Sequence, residues 1–351
     1  MTILTNTDLR HSPAVSVVIA AYNSARYISQ ALDSVKSQTF SDYEVIVVND
    51  GSSDREELEQ ILRSHPLPVI YISQENKGVS AARNAAIKVA RGQFYAQLDA
   101  DDQWTPDYLE VQLGILEQNP DVALVYPNAT IIGNEGNAGR LFMDITPSEG
   151  EVNFETLVRQ QCVVMTCVTA RMSAIRGAGM FDESIRSCED FDLWMRIVMN
   201  GGRIVYHRKP LALYRRHEGS LSSDRSWMMR NLLTVFEKFG NTFTLTPSER
   251  EMLTEERVRC QAILHLFEGK RALAARQADA ALASFSKAQA HMRSRKLAVV
   301  IFFLRRTPRL VIRIFAVRER LLEKRPQHQL SGIDQPREPN VSPEGYSCDS
   351  M

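Results

Sequence analysis

The chain lacks a C-x-x-C pair, and no histidine cluster flanks its five cysteines, Cys162, Cys167, Cys188, Cys260 and Cys348. An odd, scattered set excludes a disulfide framework and reads as reduced thiols of a cytosolic protein. No apolar run approaches the roughly 20 residues that span a bilayer. The longest, Leu297–Leu304, is closed by Lys296 and Arg305. Met1–Ser12 is polar and contains no apolar core of a secretory signal. No G-x-G-x-x-G follows a strand and no G-x-x-x-x-G-K-[ST] occurs, which weakens a dinucleotide-binding or P-loop reading. Net charge is absent as well, since 42 Lys and Arg balance 42 Asp and Glu. No nucleic-acid partner is expected.

The neutral total conceals segregation. Residues 1–285 carry 29 basic against 36 acidic side chains, residues 286–325 carry 12 against 2, and residues 326–351 carry 1 against 4. One basic segment therefore stands against an acidic body. At 351 residues, 44% hydrophobic and 24% charged, the chain has ordinary globular composition and the length of one large domain or two smaller ones.

Strand and helix patterns alternate through the first hundred residues. Val15–Ala21 is apolar except for Ser16, as a strand buried on both faces requires. Asn23 or Ser24 can cap a helix in which Ile28, Leu32 and Val35 recur at helical spacing. Tyr43–Val48 is a second strand, ending in the turn Asn49-Asp50-Gly51-Ser52, and Asp54 can cap the helix after it. Val69–Ile72 and Gln93–Leu98 are further strands, with an Ala-rich helix over Ser80–Val89 between them and another strand at Val122–Tyr126. Strands joined by helical crossovers imply an α/β, doubly wound parallel sheet. Such sheets bind ligands beyond the strand C-termini. Tyr22-Asn23, Asp50 and Asp99–Asp102 all fall at such ends.

Asp99 and Asp101 flank one residue just past a buried strand. Hard divalent cations take oxygen ligands, and Mg²⁺ commonly bridges one or two carboxylates to phosphate oxygens. The spacing suits a bridge between protein and a diphosphate. A solvated acidic turn accounts for the same residues, and so does the nucleophilic D-x-D of aspartyl-phosphate phosphatases. That phosphatase motif opens its domain and continues with Thr or Val, whereas this one lies on the fourth strand and continues with Asp102.

Four segments, Ser16–Asn23, Val47–Asp54, Asn76–Asn84 and Leu98–Asp102, resemble family 2 glycosyltransferases in order and spacing. The resemblance covers about residues 14–220 and departs where Ala20-Ala21 stands for the family's Pro-Thr. It implies a GT-A fold, a nucleotide-sugar donor (a UDP-sugar favoured), a divalent Mn²⁺ or Mg²⁺, and inversion at the anomeric carbon. It places the backbone at Ala20 and the side chains of Tyr22, Asp50 and Arg83 against the nucleotide. Asp99 goes to the ribose and sugar, and Asp101 to the metal. Gly179–Glu183 and Cys188–Trp194 resemble the family's second signature, making Asp190 the catalytic base and Glu189 the runner-up base or a donor-site ligand. An inverting transfer needs such a carboxylate to take the acceptor proton. Acids are also welcome in the first turn of a helix, and the two roles are compatible. Trp194 suits a core position at helical spacing. His217, after Leu211–Arg216, resembles the family histidine that contacts diphosphate or metal. The Gly- and Asn-rich stretch Asn134–Arg140 is either a flap over the donor or a surface insertion.

These readings imply an N-terminal arm over 1–13 and a GT-A domain over 14–245, with a nucleotide half (14–126) and an acceptor half (127–245). A helical, basic extension follows over 246–325, and then a disordered tail over 326–351. Ala281–Ala288 resembles one tetratricopeptide helix, although such repeats need about three copies for stability. The apolar run and arginines of Lys296–Arg320 suit either an anionic membrane surface or packing on the protein. The expected location is cytoplasmic, with peripheral contact at the inner face of the cell membrane. The expected activity is hexosyl transfer to a saccharide or lipid-linked glycan in surface polysaccharide assembly. A phosphatase built on Asp99/Asp101 and a non-catalytic sugar-nucleotide binding module are the rivals.

Overall fold

A computed structural model describes residues 3–4, 12–133, 137–146, 148–217 and 224–323. The tail over 326–351, most of the arm over 1–13 and residues 134–136 of the proposed flap lie outside the described residues. The apolar runs form one nine-stranded sheet. Its strands are β1 (Ile3–Leu4), β2 (Val15–Ala21), β3 (Tyr43–Asp50), β4 (Ile70–Gln74), β5 (Phe94–Gln97), β6 (Gln103–Trp104), β7 (Val122–Gly133), β8 (Thr169–Arg171) and β9 (Arg203–Arg216). Their order is β1-β4-β3-β2-β5-β8-β7-β9-β6. Strands β4, β3, β2 and β5 run parallel, joined by helices Ala25–Lys36, Arg55–Ser64 and Val79–Val89. Every apolar residue of β2 except Ala20 is buried, which matches its lack of polar alternation.

The second half of the sheet is mixed. Strand β8 runs antiparallel to both β5 and β7, and β7 pairs in parallel with β9. Three residues are too few to show a period, so β8 left no sequence signal. Arg203–Tyr206 and Leu211–Arg216 are one strand interrupted by Pro210, and the register against β7 shifts on either side of Asn128. A bulge there accommodates the missing proline N–H.

Helix capping differs from the sequence expectation. Ser24 and Asp54 occupy the N-cap positions, but neither side chain caps its own helix. Asp54 Oδ2 instead accepts from Ala25 N–H at 2.9 Å, and Asn23 Oδ1 accepts from Ser53 N–H at 2.8 Å. Parallel pairing of β2 and β3 brings the two helix starts side by side, so each loop satisfies the other's orphan amides.

The main core covers both faces of the sheet and continues to Cys260, inside helix Pro247–Ala274. A second cluster joins the end of that helix to helices Ala278–Met292 and Arg295–Arg306 through Leu273, Ala281, Phe285, Leu297, Ile301 and Leu304. At Gly269 an added Cβ would lie 2.4 Å from the Phe285 ring, and that ring is buried. Gly269→Ala is therefore expected to lower stability by about 1–3 kcal/mol through overpacking, offset by about 1 kcal/mol of helix propensity. Thermal melts check this; an unchanged or raised Tm would show that the ring has room to move.

Candidate active site

The C-terminal ends of β2, β3 and β5 share one edge of the sheet. Ala20 pairs with Val48, Ala21 with Asn49, and Leu98 N–H donates to Val18 O. Tyr22 stands exposed at this edge. Asp50 is buried, and its carboxylate ties down the loop after β4. Oδ1 accepts from Gln74 Nε2 at 2.8 Å and Lys77 N–H at 2.9 Å, and Oδ2 accepts from Gly78 N–H at 2.8 Å. A carboxylate has about four acceptor positions, so one remains for a further donor. The backbone that frames Tyr22 is held by Asn23 N–H donating to Ser52 Oγ at 3.0 Å.

Arg83 lies on helix Val79–Val89. It is buried, donating to Glu189 Oε1 at 2.6 Å and Asp99 Oδ1 at 2.9 Å. One guanidinium thus links the first acidic cluster to the second signature, 106 residues away in sequence. The same helix face fixes that segment twice more. Asn84 exchanges hydrogen bonds with Phe181, and Ser80 Oγ donates to Ile185 O. Both residues lie within the Asn76–Asn84 motif, but neither spacing nor composition marks them as clamps.

Helix Glu189–Met199 carries Glu189, Asp190 and Asp192 in its first turn, favoured by the macrodipole. Its N-cap, Cys188, is left-handed at φ 60°, a sparsely populated conformation for a side-chain-bearing residue. Deeper in the helix, buried Asp192 pairs with Arg196 and with Lys238 of helix Arg225–Thr242, and Lys238 also reaches Asp182. Lys238 carries no sequence signal of this supporting role, because its partners lie more than 40 residues upstream. Trp194 is fully buried against Phe181 and belongs to the core.

Burial, followed by repulsion from Glu189, pushes the Asp190 carboxyl up to about 7, against the opposing pull of Arg83. Asp190 Oδ1 accepts from Phe191 N–H at 2.7 Å. Burial and the neighbouring Asp99 also raise Asp101, with His217 opposing.

His217 meets Asp101 at the end of β9. Its Nε2 lies 3.0 Å from Asp101 Oδ2, and both side chains are 28% exposed, so a ligand can reach them. Two residues unassigned by the sequence motifs build this corner. Buried Asp102 accepts from Arg215 N–H at 2.7 Å, and Arg215 Nε donates to Asp101 O at 2.8 Å. The His217 and Tyr27 rings are 5.2 Å apart. The Asp101 carboxylate suits either Mn²⁺ or Mg²⁺ completed by phosphate oxygens, and the imidazole beside it favours the transition metal Mn²⁺ as a direct ligand. Among the described residues no group of three or more His, Cys, Asp or Glu side chains is arranged to hold a metal alone.

All the anticipated residues therefore lie at the sheet edge or on the helices packed against it. Arg83 joins Asp99 and Glu189 directly, Asp190 follows Glu189 in the same helix turn, and Asp101 with His217 forms a separate pair. Tyr22 and Asp50 stand at the neighbouring strand ends, with the Asp50 hydrogen bonds directed to residues 74–78.

The sequence profile described as Glycosyl transferase family 2 matches residues 16–177. An uncharacterized glycosyltransferase of Rickettsia prowazekii is 30% identical over 247 residues, which are 69% of this chain and 75% of that protein. A chondroitin synthase of Escherichia coli is 33% identical over 211 residues, 57% of this chain but 29% of the synthase. The chain thus spans under a third of that longer relative. Among solved structures, S. aureus TarS residues 1–349 with UDP-GlcNAc superposes with a TM-score of 0.58 at 19% identity, covering 88% of this chain and 91% of that one. A Pyrobaculum calidifontis mannosyltransferase with GDP-Man and Mn²⁺ gives 0.56 at 19% identity, covering 93% and 92%. At these identities the likeness establishes a shared GT-A fold with a C-terminal helical region.

Proposed function

The chain belongs to glycosyl transferase family 2, and from that premise we propose that it is an inverting transferase. It would move a hexosyl group from a nucleoside-diphosphate sugar to a saccharide or lipid-linked glycan. The observation that carries the proposal is the partly buried Asp190 carboxyl, placed in the first turn of its helix next to Glu189, which Arg83 ties to Asp99, and raised to about 7. A general base works best with a pKa near the working pH.

In this reading Tyr22, Asp50 and the Ala20 backbone receive the nucleotide, while Asp99 and Glu189, aligned by Arg83, face the sugar. Asp190 keeps Oδ1 on the Phe191 amide and takes the acceptor hydroxyl proton at Oδ2. The acceptor oxygen bonds to the anomeric carbon as the bond from that carbon to the diphosphate breaks on the opposite side. The configuration inverts and the nucleoside diphosphate departs. Asp101 and His217 would hold a divalent cation, which supplies charge neutralisation for the departing diphosphate. UDP-sugars are the first donors to try, given the UDP-GlcNAc-bound fold neighbour, with GDP-mannose second. The polysaccharide synthase among the relatives supports a glycan acceptor. Family membership leaves the phosphatase reading of Asp99 without support.

A nucleotide-sugar panel tests the proposal, with and without Mn²⁺ or Mg²⁺, scored by thermal shift and release of nucleoside diphosphate. A true donor at a hundredfold excess over its Kd stabilises by about 2.7 kcal/mol. If no nucleotide sugar raises Tm in the presence of metal, the proposal fails. The pH profile adds a separate expectation. Asp190 acts as a base only when ionised, and its pKa is raised to about 7. At saturating metal, kcat/KM should therefore fall about tenfold per unit below that value and level off above it. A profile flat from pH 5 to 8, measured at roughly half-unit steps, would remove Asp190 from the role.

A further inference from the structure

The C-terminal hairpin has an inner and an outer apolar face. Helices Arg295–Arg306 and Pro308–Glu323 turn Leu297, Ile301 and Leu304, with Val311, Ile312 and Phe315, toward the second core cluster. Val299, Phe302, Phe303, Leu310, Ile314 and Val317 remain 48–60% exposed. They make up six of the nine exposed large hydrophobic side chains among the described residues. Single exposed apolar residues are ordinary, but a row at i, i+3, i+4 spacing on each of two adjoining helices marks an interaction surface.

The charges around these rows choose the occupant. No acidic residue occurs between Asp279 and Glu319. Arg306 and Arg313 extend the two rows at the same helical spacing, and the Arg306 guanidinium lies 3.8 Å over the Phe302 ring. Such arginines cover apolar surface with their stems and present the charge beyond it. Pairing two copies of this face would bring arginine against arginine. An anionic lipid surface meets both features, with acyl chains for the rows and headgroups for the cations.

We propose that the outer face of residues 295–317 docks the protein on anionic membrane, lying in the interface without crossing it. No described helix is long and apolar enough to span a bilayer. Docking would be independent of the catalytic residues, which lie at the edge of the main sheet and on the helices packed against it.

The test is sedimentation of the full chain with vesicles of phosphatidylcholine alone or with about one-third phosphatidylglycerol. Binding is expected only with the anionic lipid, and should fall steeply as salt rises from roughly 50 to 500 mM. Arg306→Gln with Arg313→Gln should weaken partitioning about twenty- to thirtyfold, since each basic residue near such a surface contributes about fivefold. Phe302→Ser, Phe303→Ser, Leu310→Ser and Ile314→Ser together should abolish it. Tm should be unchanged, because these side chains lie outside both cores. The proposal is overturned if the wild-type chain stays in the supernatant or binds both lipids equally. It is equally overturned if the serine variant sediments like wild type, or if light scattering without lipid shows a dimer that this variant dissolves.

Discussion

Asp190→Asn is expected to lower the rate of sugar transfer by about 10²–10⁴ while leaving donor affinity nearly unchanged. Asn keeps the size of the side chain and can still accept from Phe191 N–H, but it cannot take a proton. Structural damage and chemical loss are separable by stability. The folded Asp190 carboxyl titrates near 7 against an ordinary value of 3.8. Between those values folding takes up a proton, so this group's contribution to stability falls as pH rises and stays low above 7. Asn has no such dependence. The variant should melt like wild type at the acidic end and above it near pH 8, the gap opening through the intervening range. Single-turnover transfer together with melts over pH checks both parts. Transfer within a few-fold of wild type would move the base elsewhere, with Glu189 next in line.

Asp101→Ala should abolish the metal dependence of donor binding. Asp101 and His217 supply the carboxylate and imidazole of the proposed cation site, with their reactive atoms 3.0 Å apart. Removing even an outer-shell partner of a metal typically costs about 10–100-fold in affinity, and a direct ligand should cost at least as much. Donor affinity in Mn²⁺ should therefore drop to the value measured with a chelator. His217→Ala should move it in the same direction. Both side chains are partly exposed, so the fold should tolerate either change. Calorimetry with and without metal is the measurement. Unchanged metal-dependent affinity in Asp101→Ala would take this residue out of the metal site.

Tyr22, Asp50, Arg83, Asp99, Asp101, Asp190 and His217 could be singled out as candidates from the sequence, because each sits in or beside a short motif near the end of an apolar run or in the first turns of a helix. Their partners could not. The resemblance places Arg83 against the nucleotide, but its burial between Asp99 and Glu189 appears only in the fold. Asp102 and Asn84 lie within motif segments, but nothing there assigns them a role, and Lys238 lies in none; the partners of all three are brought by other elements. The exchanged caps at Asn23 and Asp54 depend on two helix starts meeting across adjacent strands.

The sequence by itself determined the parallel half of the sheet, because strands buried on both faces must be unbroken apolar runs and the turns closing them must be polar. It also determined the order of the acidic motifs along that edge and the basic, apolar character of residues 295–317. Tertiary structure alone decided where β8 inserts, how β9 carries His217 back to Asp101, and which face of the C-terminal hairpin stays uncovered. It also decided that Asp190 titrates near neutrality. A pKa is set by desolvation and by charges within a few ångströms; Glu189 is a sequence neighbour, but the burial and the opposing Arg83 come from packing segments about a hundred residues apart.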